Sequence, residues 1–363
     1  DYLLKEYNEE NEIIKGYNGR QLLELLQNCD DEGSTEVLIK LDKEVNTITI
    51  SNNGTPFSEK GYKSLFMPFR SSKISKKEYI GNKGLGFRSI INWSNQIEIQ
   101  SNNLSLMYNQ ERRKAFFYTN FNEQKRNTIL KDEGLIDTAI PVPFLGVPEV
   151  NAIEIKDYVT SIVITYKTEP SILKNILNQV KSITPETLFF LKSLQRINFE
   201  GFDESVKSIE TRKEAINTNS DDFAPTEKIS YNGTTWYIFK EEESLGEVLK
   251  SDKIEEEFYQ IKIAIEENMA KPTGKLYSFF PTNIHLGQPY ILHATFDLDS
   301  TRNQLVQSEK NKIILKKIKV QQKKPIVVLP DIEVNSGDFI FIWKTDTRIE
   351  SFSVNRDTEL IDA

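Results

Sequence analysis

The chain has 363 residues, 38% of them hydrophobic and 10% aromatic, enough for real cores and too apolar for a disordered chain. Its net charge of -8 disfavours a general nucleic-acid coat, although a local basic patch stays open. One cysteine excludes an internal disulfide and fits a reducing cytoplasm, and two histidines argue against a His-rich metal centre and a Ser-His-Asp hydrolase. The length favours two or three domains. No signal peptide and no apolar run of membrane-spanning length is read. A chain that starts at Asp1 rather than Met is expected to lack its true N-terminus, and richness in Lys, Ile and Asn suggests an AT-rich prokaryotic coding sequence.

Leu3–Ile14 reads as a short helix, followed by a turn at Tyr17-Asn18-Gly19. In Leu22–Asp31 the residues Leu22, Leu25, Leu26 and Cys29 recur at i, i+3, i+4 and i+7, which predicts a helix with one apolar stripe. Glu24, Asn28 and Asp31 share the opposite face and offer a carboxylate, an amide and a second carboxylate; a solvated polar face is the alternative. Gly33 ends this helix. Glu36–Leu41 and Thr47–Ser51 alternate and are β-branched, so they predict a hairpin, and Asn52-Asn53-Gly54-Thr55-Pro56-Phe57 predicts a turn after it. Gly61–Phe66 reads as a helix and Ser71–Glu78 as a polar, lysine-rich loop. That loop runs into Gly81, Gly84 and Gly86, ahead of an apolar helical run at Phe87–Trp93 and a strand at Gln96–Gln100.

A helix with E-x-x-x-N, a strand end N-N-G-x-P-F and a loop closing on G-x-x-G-x-G resemble, in that order, the Bergerat nucleotide fold. Hsp90, type II topoisomerases, MutL and sensor histidine kinases share that fold. The wording L-L-E-L-L-Q-N-C-D-D and G-L-G-F-R-S is most similar to the sacsin-type, Hsp90-like ATPase domain. No G-x-x-x-x-G-K-[ST] is present, so a P-loop is excluded as the phosphate cradle.

The resemblance implies ATP and Mg²⁺ as cofactors, and the residue chemistry suits them. Mg²⁺ prefers hard oxygen ligands, which Asn28 can supply through its side-chain carbonyl. Glu24, one turn earlier, can act as general base toward water, and Asp31 belongs to the same nucleotide-binding set. Glycines 81, 84 and 86 let backbone N–H groups approach phosphate oxygens, with Lys83, Leu85 and Phe87 in the same motif. Ser71, Ser72 and Lys73 would form a lid. Asn52 stands where the family usually has the aspartate that accepts from the adenine amino group; its amide oxygen can still accept. Gly54 gives that turn its bend. Phe57 packs on the base or is ordinary core.

Residues 101–150 read as a charged, loop-like insertion followed by a proline-rich excursion. Tyr158–Tyr166 predicts a buried strand whose Thr160 resembles the threonine that closes the Bergerat pocket; a structural strand threonine is the alternative. Ile172–Val180 predicts a helix, and Thr184-Pro185-Glu186 predicts the start of another that runs to Leu194. Ile197–Phe199 continues as strand, which places an ATP-binding domain at 1–199.

Strands are then expected at Ser205–Glu210, Thr235–Phe239, Ile261–Ile265, Tyr277–Phe280 and Tyr290–Phe296, interrupted by a charged helix at Leu245–Tyr259. By resemblance, 200–324 is a transducer domain of the Hsp90 and MutL kind. Ser300-Thr301-Arg302-Asn303 is similar to the loop that delivers a cation to the γ-phosphate there, which nominates Arg302 as a catalytic residue beside Glu24; a surface ion pair is the alternative. Where Hsp90 carries a glutamine four residues on, this chain has Val306, with Gln304 offset. Glu309–Lys324 holds seven lysines and reads as a basic amphipathic helix for a partner or nucleic acid, or as a solvated helix. Residues 325–363 are strand-rich, and His285 and His293 read as structural.

The expected architecture is therefore α+β: a Bergerat α/β sandwich followed by an α/β transducer domain. The resemblance implies a slow, partner-regulated cytoplasmic ATPase with no membrane association. It is expected to work as a homodimer or with a partner protein, nucleic acid entering through an effector or the 309–324 stretch. Domains similar to this one often sit in prokaryotic antiviral systems. A non-hydrolysing nucleotide sensor that scaffolds an effector is the main alternative. A chaperone is a third, and a histidine kinase is disfavoured because no phosphoacceptor His-Glu pair precedes the domain.

Overall fold

Strands that alternate β-branched and polar residues, and helices with a single apolar stripe, set up one-sided layers. The computed structural model describes residues 2–16, 19–66, 86–136, 138–154, 157–217, 225–244, 258–267, 274–286, 290–299, 302, 304–321, 332–335, 339–345 and 348–354. They form two compact units: residues 1–184 with 191–210, and residues 185–190 with 211–363.

In the first unit the helices are α1 (Tyr2–Gly16), α2 (Gln21–Asp31), α3 (Glu59–Phe66), α4 (Gln110–Asn120), α5 (Glu123–Asp132) and α6 (Pro170–Ser182). The strands are β1 (Glu36–Asp42), β2 (Thr47–Asn52), β3 (Ser94–Ser101), β4 (Leu104–Asn109), β5 (Glu149–Ala152), β6 (Thr160–Tyr166), β7 (Arg196–Glu200) and β8 (Ile209–Glu210). They make one eight-stranded sheet in the order β5-β4-β3-β6-β2-β1-β7-β8. Only β1 and β7 run parallel.

Register explains the core. Leu41, Ile48, Ile164 and Ile97 are cross-strand partners, and so are Ile39, Ile50, Ile162 and Ile99. All eight are buried. Burying such side chains contributes roughly 1.5–3 kcal/mol each. The next rung on the same face, Val37, Asn52, Thr160 and Ser101, turns polar on three adjacent strands. The helix α2 adds buried Leu22, Leu25, Leu26 and Cys29, and α6 adds Ile176 and Val180.

In the second unit, β9 (Arg212–Ala215), β10 (Glu227–Tyr231), β11 (Thr234–Ser244), β12 (Phe258–Glu266), β13 (Lys275–Ser278), β14 (Phe280–His285) and β15 (Tyr290–Ala294) form a mixed sheet. Its order is β14-β13-β15-β12-β11-β10-β9. Helix α7 (Glu309–Gln321) buries Ile314 and Ile318 against Tyr259, Ile261 and Leu292. Phe189 and Phe190 join Ile229, Ile238, Ala264 and Tyr277 in a second cluster of this unit. A three-stranded antiparallel meander follows: β16 (Ile332–Asn335), β17 (Phe339–Thr345) and β18 (Arg348–Val354). No helix among the described residues is long and apolar enough to cross a membrane.

Several expectations need correction. Residues 101–150 are not loop-like: they hold β4, α4, α5 and β5. The two helices are nucleated by Asn109 and Asn122, whose side chains cap the N–H groups of Arg112 and Lys125, each at 2.9 Å. The helix expected from Thr184 to Leu194 is a single 3-10 turn over Pro185–Leu188, because Asp30 takes the N–H groups further on. Phe87–Asn92 is also 3-10. The strand expected at Ser205–Glu210 shrinks to Ile209–Glu210. The one expected at Tyr277–Phe280 breaks at Phe279, whose φ is +63°. The last expected strand ends at Ala294. Most of the helix expected at Leu245–Tyr259 lies outside the described residues, while Phe258 and Tyr259 belong to β12. The lysine-rich α7 is not wholly solvated, since Ile314 and Ile318 are buried and Lys317 pairs with Glu243 at 2.7 Å.

Candidate functional site

Helix α2 is buried around most of its circumference. Gln21, Gln27 and Asp30 are sequestered along with the leucine stripe. Its entry is fixed from α6, where Gln179 Oε1 accepts the N–H of Leu22 at 3.0 Å. Its exit is fixed by Gly33 at φ +78°, which a side chain would strain. Asp30 accepts the backbone N–H groups of Lys192, Ser193 and Leu194 at 3.0, 2.7 and 2.8 Å. Sequence reasoning passed over Asp30 in favour of Asp31, and nothing local marks a carboxylate whose partners lie so far along the chain. Glu24 is only 5% exposed, so a solvated face is not what this position presents, whereas Asn28 and Asp31 are half-buried.

The Asn52-Asn53-Gly54 turn is strapped to the segment that leaves α2. Asn52 Oδ1 accepts from Ser34 Oγ at 2.9 Å and from the N–H of Gly54 at 3.0 Å. Asn53 Oδ1 accepts from the N–H groups of Thr35 and Glu36, and Thr55 donates its N–H to the Glu32 carbonyl at 2.8 Å. The approach at Gly54 is close: a Cβ there would stand 2.5 Å from Ser34 Oγ and 2.8 Å from the Glu32 carbonyl oxygen. Thr160, the register partner of Asn52, is buried, and its Oγ1 lies 2.8 Å from Ser101 Oγ. The same Ser101 oxygen accepts the N–H of Phe57 at 3.0 Å. The Phe57 ring stacks on Tyr62 at 5.2 Å. Asn52, Thr160 and Phe57 thus meet at one polar end of the sheet. Ser34 and Ser101, which hold them, carry no signal in the sequence.

Gly86 closes the arrangement. A Cβ added to it would fall on Glu24 Oε2 and stand 2.6 Å from Glu24 Cδ, so the last glycine of the bend lies directly against this carboxylate. Gly86 also anchors the turn after it, its carbonyl accepting from Ser89 Oγ at 2.6 Å. Phe87 is buried. Arg88 is not a surface cation: it donates to the Leu65 carbonyl and faces Glu10 at 4.0 Å, both side chains nearly fully buried. Burial raises the Glu10 carboxyl, and burial lowers the Arg88 guanidinium. The chain thus makes two close backbone approaches, Gly54 against Ser34 and Glu32 and Gly86 against Glu24. Ser72, Lys73, Gly81, Lys83, Gly84 and Leu85, and the whole 71–78 loop, lie outside the described residues.

Arg302 belongs to the second unit. It lies in sequence between the bridged residues Leu298 and Leu305, and its φ is +55°, an unfavourable value for a side-chain-bearing residue. Its N–H donates to the Asp299 carbonyl at 2.9 Å. Asn311 of α7 ties Asp297 to Val306, accepting from the N–H of Asp297 at 2.8 Å and donating to the carbonyls of Asp297 and Val306, both at 2.7 Å. His293 is fully buried in the same unit, stacked on Phe190, with Nδ1 accepting the N–H of Phe279 at 3.0 Å. Burial, and secondarily Lys262, hold it well below the usual histidine range, so it is neutral. Among the described residues, no group of three or more His, Cys, Asp or Glu side chains is arranged to hold a metal ion. No protein-family model matches this sequence, and no curated protein matches it.

Proposed function

We propose that this protein is a Mg²⁺-dependent, ATP-binding and ATP-hydrolysing conformational switch of the Hsp90-like, sacsin-resembling class, with a Bergerat-type first unit and a transducer-type second unit. The observation that carries the reading is the approach of Gly86 to Glu24. The two residues come from separate motifs, and the chemistry requires a base beside a phosphate-binding glycine bend. The N-N-G turn, Thr160 and Phe57 add the base-recognition end, with Asn52 facing the exocyclic group of the base.

In this mechanism the backbone N–H groups of the glycine bend bind phosphate oxygens. Asn28 would hold Mg²⁺ through its side-chain oxygen, and the ion when bound neutralises phosphate charge. Glu24 takes a proton from water as that water's oxygen bonds to the γ-phosphorus and the bond to ADP breaks. The resemblance alone nominates Arg302 for the γ-phosphate oxygens, which its planar fork suits. Hydrolysis then changes the conformation on which a partner protein or second copy acts. A place in prokaryotic defence rests on the resemblance alone.

Glu24→Gln tests the reading. It is expected to lower phosphate release by about a hundredfold or more while ATP binding persists. Binding of ATP with no phosphate release from the parent protein would leave the sensor reading. No binding at all would overturn both.

A further inference from the structure

We propose that Asn52 meets the nucleotide base as a hydrogen-bond donor, so that the pocket takes 6-oxopurine nucleotides at least as well as adenine nucleotides. This rests on the nucleotide reading above and specifies its ligand.

One end of the Asn52 amide is already committed. A carbonyl oxygen has two lone pairs. Both are used here, one by Ser34 Oγ at 2.9 Å and one by the N–H of Gly54 at 3.0 Å. The Gly54 donor is backbone and cannot reverse its role. Rotating the amide by half a turn would set Nδ2 against that N–H, donor facing donor. The backbone therefore fixes the orientation that an amide alone leaves ambiguous. A hydroxyl such as Ser34 could adapt to either end, but Gly54 could not.

With Oδ1 turned to Ser34 and Gly54, the opposite corner of the amide is Nδ2, which makes no hydrogen bond among the described residues. Asn52 is buried as a residue, but Nδ2 is not one of the sealed, unpaired side-chain atoms, so this corner keeps access to a ligand. An aspartate at this position would offer a second acceptor at that corner and prefer a 6-amino group. Asparagine offers two N–H donors there instead. A 6-amino group repels them; a 6-oxo group accepts from them. Thr160, the neighbour in the rung, stays tied to Ser101 and does not restore an aspartate-like charge.

The test is direct titration of the whole chain, in Mg²⁺, with ATP, GTP and ITP. ITP lacks the 2-amino group of guanine and so reads the 6-position alone. GTP and ITP are expected to bind no more weakly than ATP. In Asn52→Asp the order should reverse, with ATP gaining about tenfold or more over GTP and ITP. The aspartate can still accept from Ser34 and Gly54, so the turn should persist. Parent protein that binds ATP tenfold or more tightly than both GTP and ITP overturns the donor assignment while leaving the nucleotide reading intact. Failure of all three to bind overturns the nucleotide reading, and the assignment with it.

Discussion

The first and last turns of α2 each bury a carboxylate, and the two are used differently. Asp30 accepts from three backbone N–H groups of 192–194. Such a carboxylate is a structural clamp, because each bond satisfies a backbone donor that folding would otherwise strand. Glu24 instead lies against a glycine whose missing side chain is what makes room for it. Burial alone therefore does not tell the two acids apart; the identity of what each one faces does.

The largest expected effect breaks the clamp. Asp30→Ala removes the acceptor of three donors and should destabilise the first unit by roughly 3–5 kcal/mol, read by urea unfolding. Glu24→Gln, measured beside it, should cost no more than about 1 kcal/mol. Equal losses for the two would erase the distinction drawn between them.

Gly86→Ala sharpens the other side of the comparison. The added methyl collides with Glu24, so overpacking should cost about 1–3 kcal/mol and weaken nucleotide binding. Unchanged binding in this variant would mean that the glycine approach has no bearing on the ligand.

The smallest effect concerns a buried ionisable group in the second unit. His293 is neutral in the folded chain and titrates near 6.5 when unfolded. Its folded pKa is depressed, so between that value and 6.5 the unfolded chain holds the extra proton. Stability is then full above about pH 6.5 and falls by about 1.4 kcal/mol per pH unit below it. His293→Gln should flatten that slope in thermal melts, and a slope unaltered by the substitution would assign it elsewhere.

Much of the fold was legible in the sequence because local pattern and tertiary burial agree there. The stripe of α2, the β1–β2 hairpin and the buried strand β6 follow their periodicity. Helices α4 and α5 were missed because each buries one residue, Phe117 and Leu130, and so shows no stripe. Their asparagine caps were the readable signal. The reverse error came at Pro185, where good helix-start residues lost to burial of Phe189 and Phe190 and to the Asp30 clamp. At the candidate site, Glu24, Asn28, Asn52 and Gly86 could be nominated from motif spacing. Their supports could not: Ser34, Ser101 and the acceptor bookkeeping of Asn52 are facts of three-dimensional pairing.

The short stretch 185–190 belongs to the second unit although first-unit residues precede and follow it. Its two phenylalanines lie in the core of β10, β11, β12 and β15. The covalent chain consequently passes between the units three times, and no single cut yields two whole pieces. A fragment that begins at Thr211 would lack part of its own interior, and one that stops at Glu210 would carry two orphaned aromatic rings into water. Neither piece is a sound starting material for measuring what the other does.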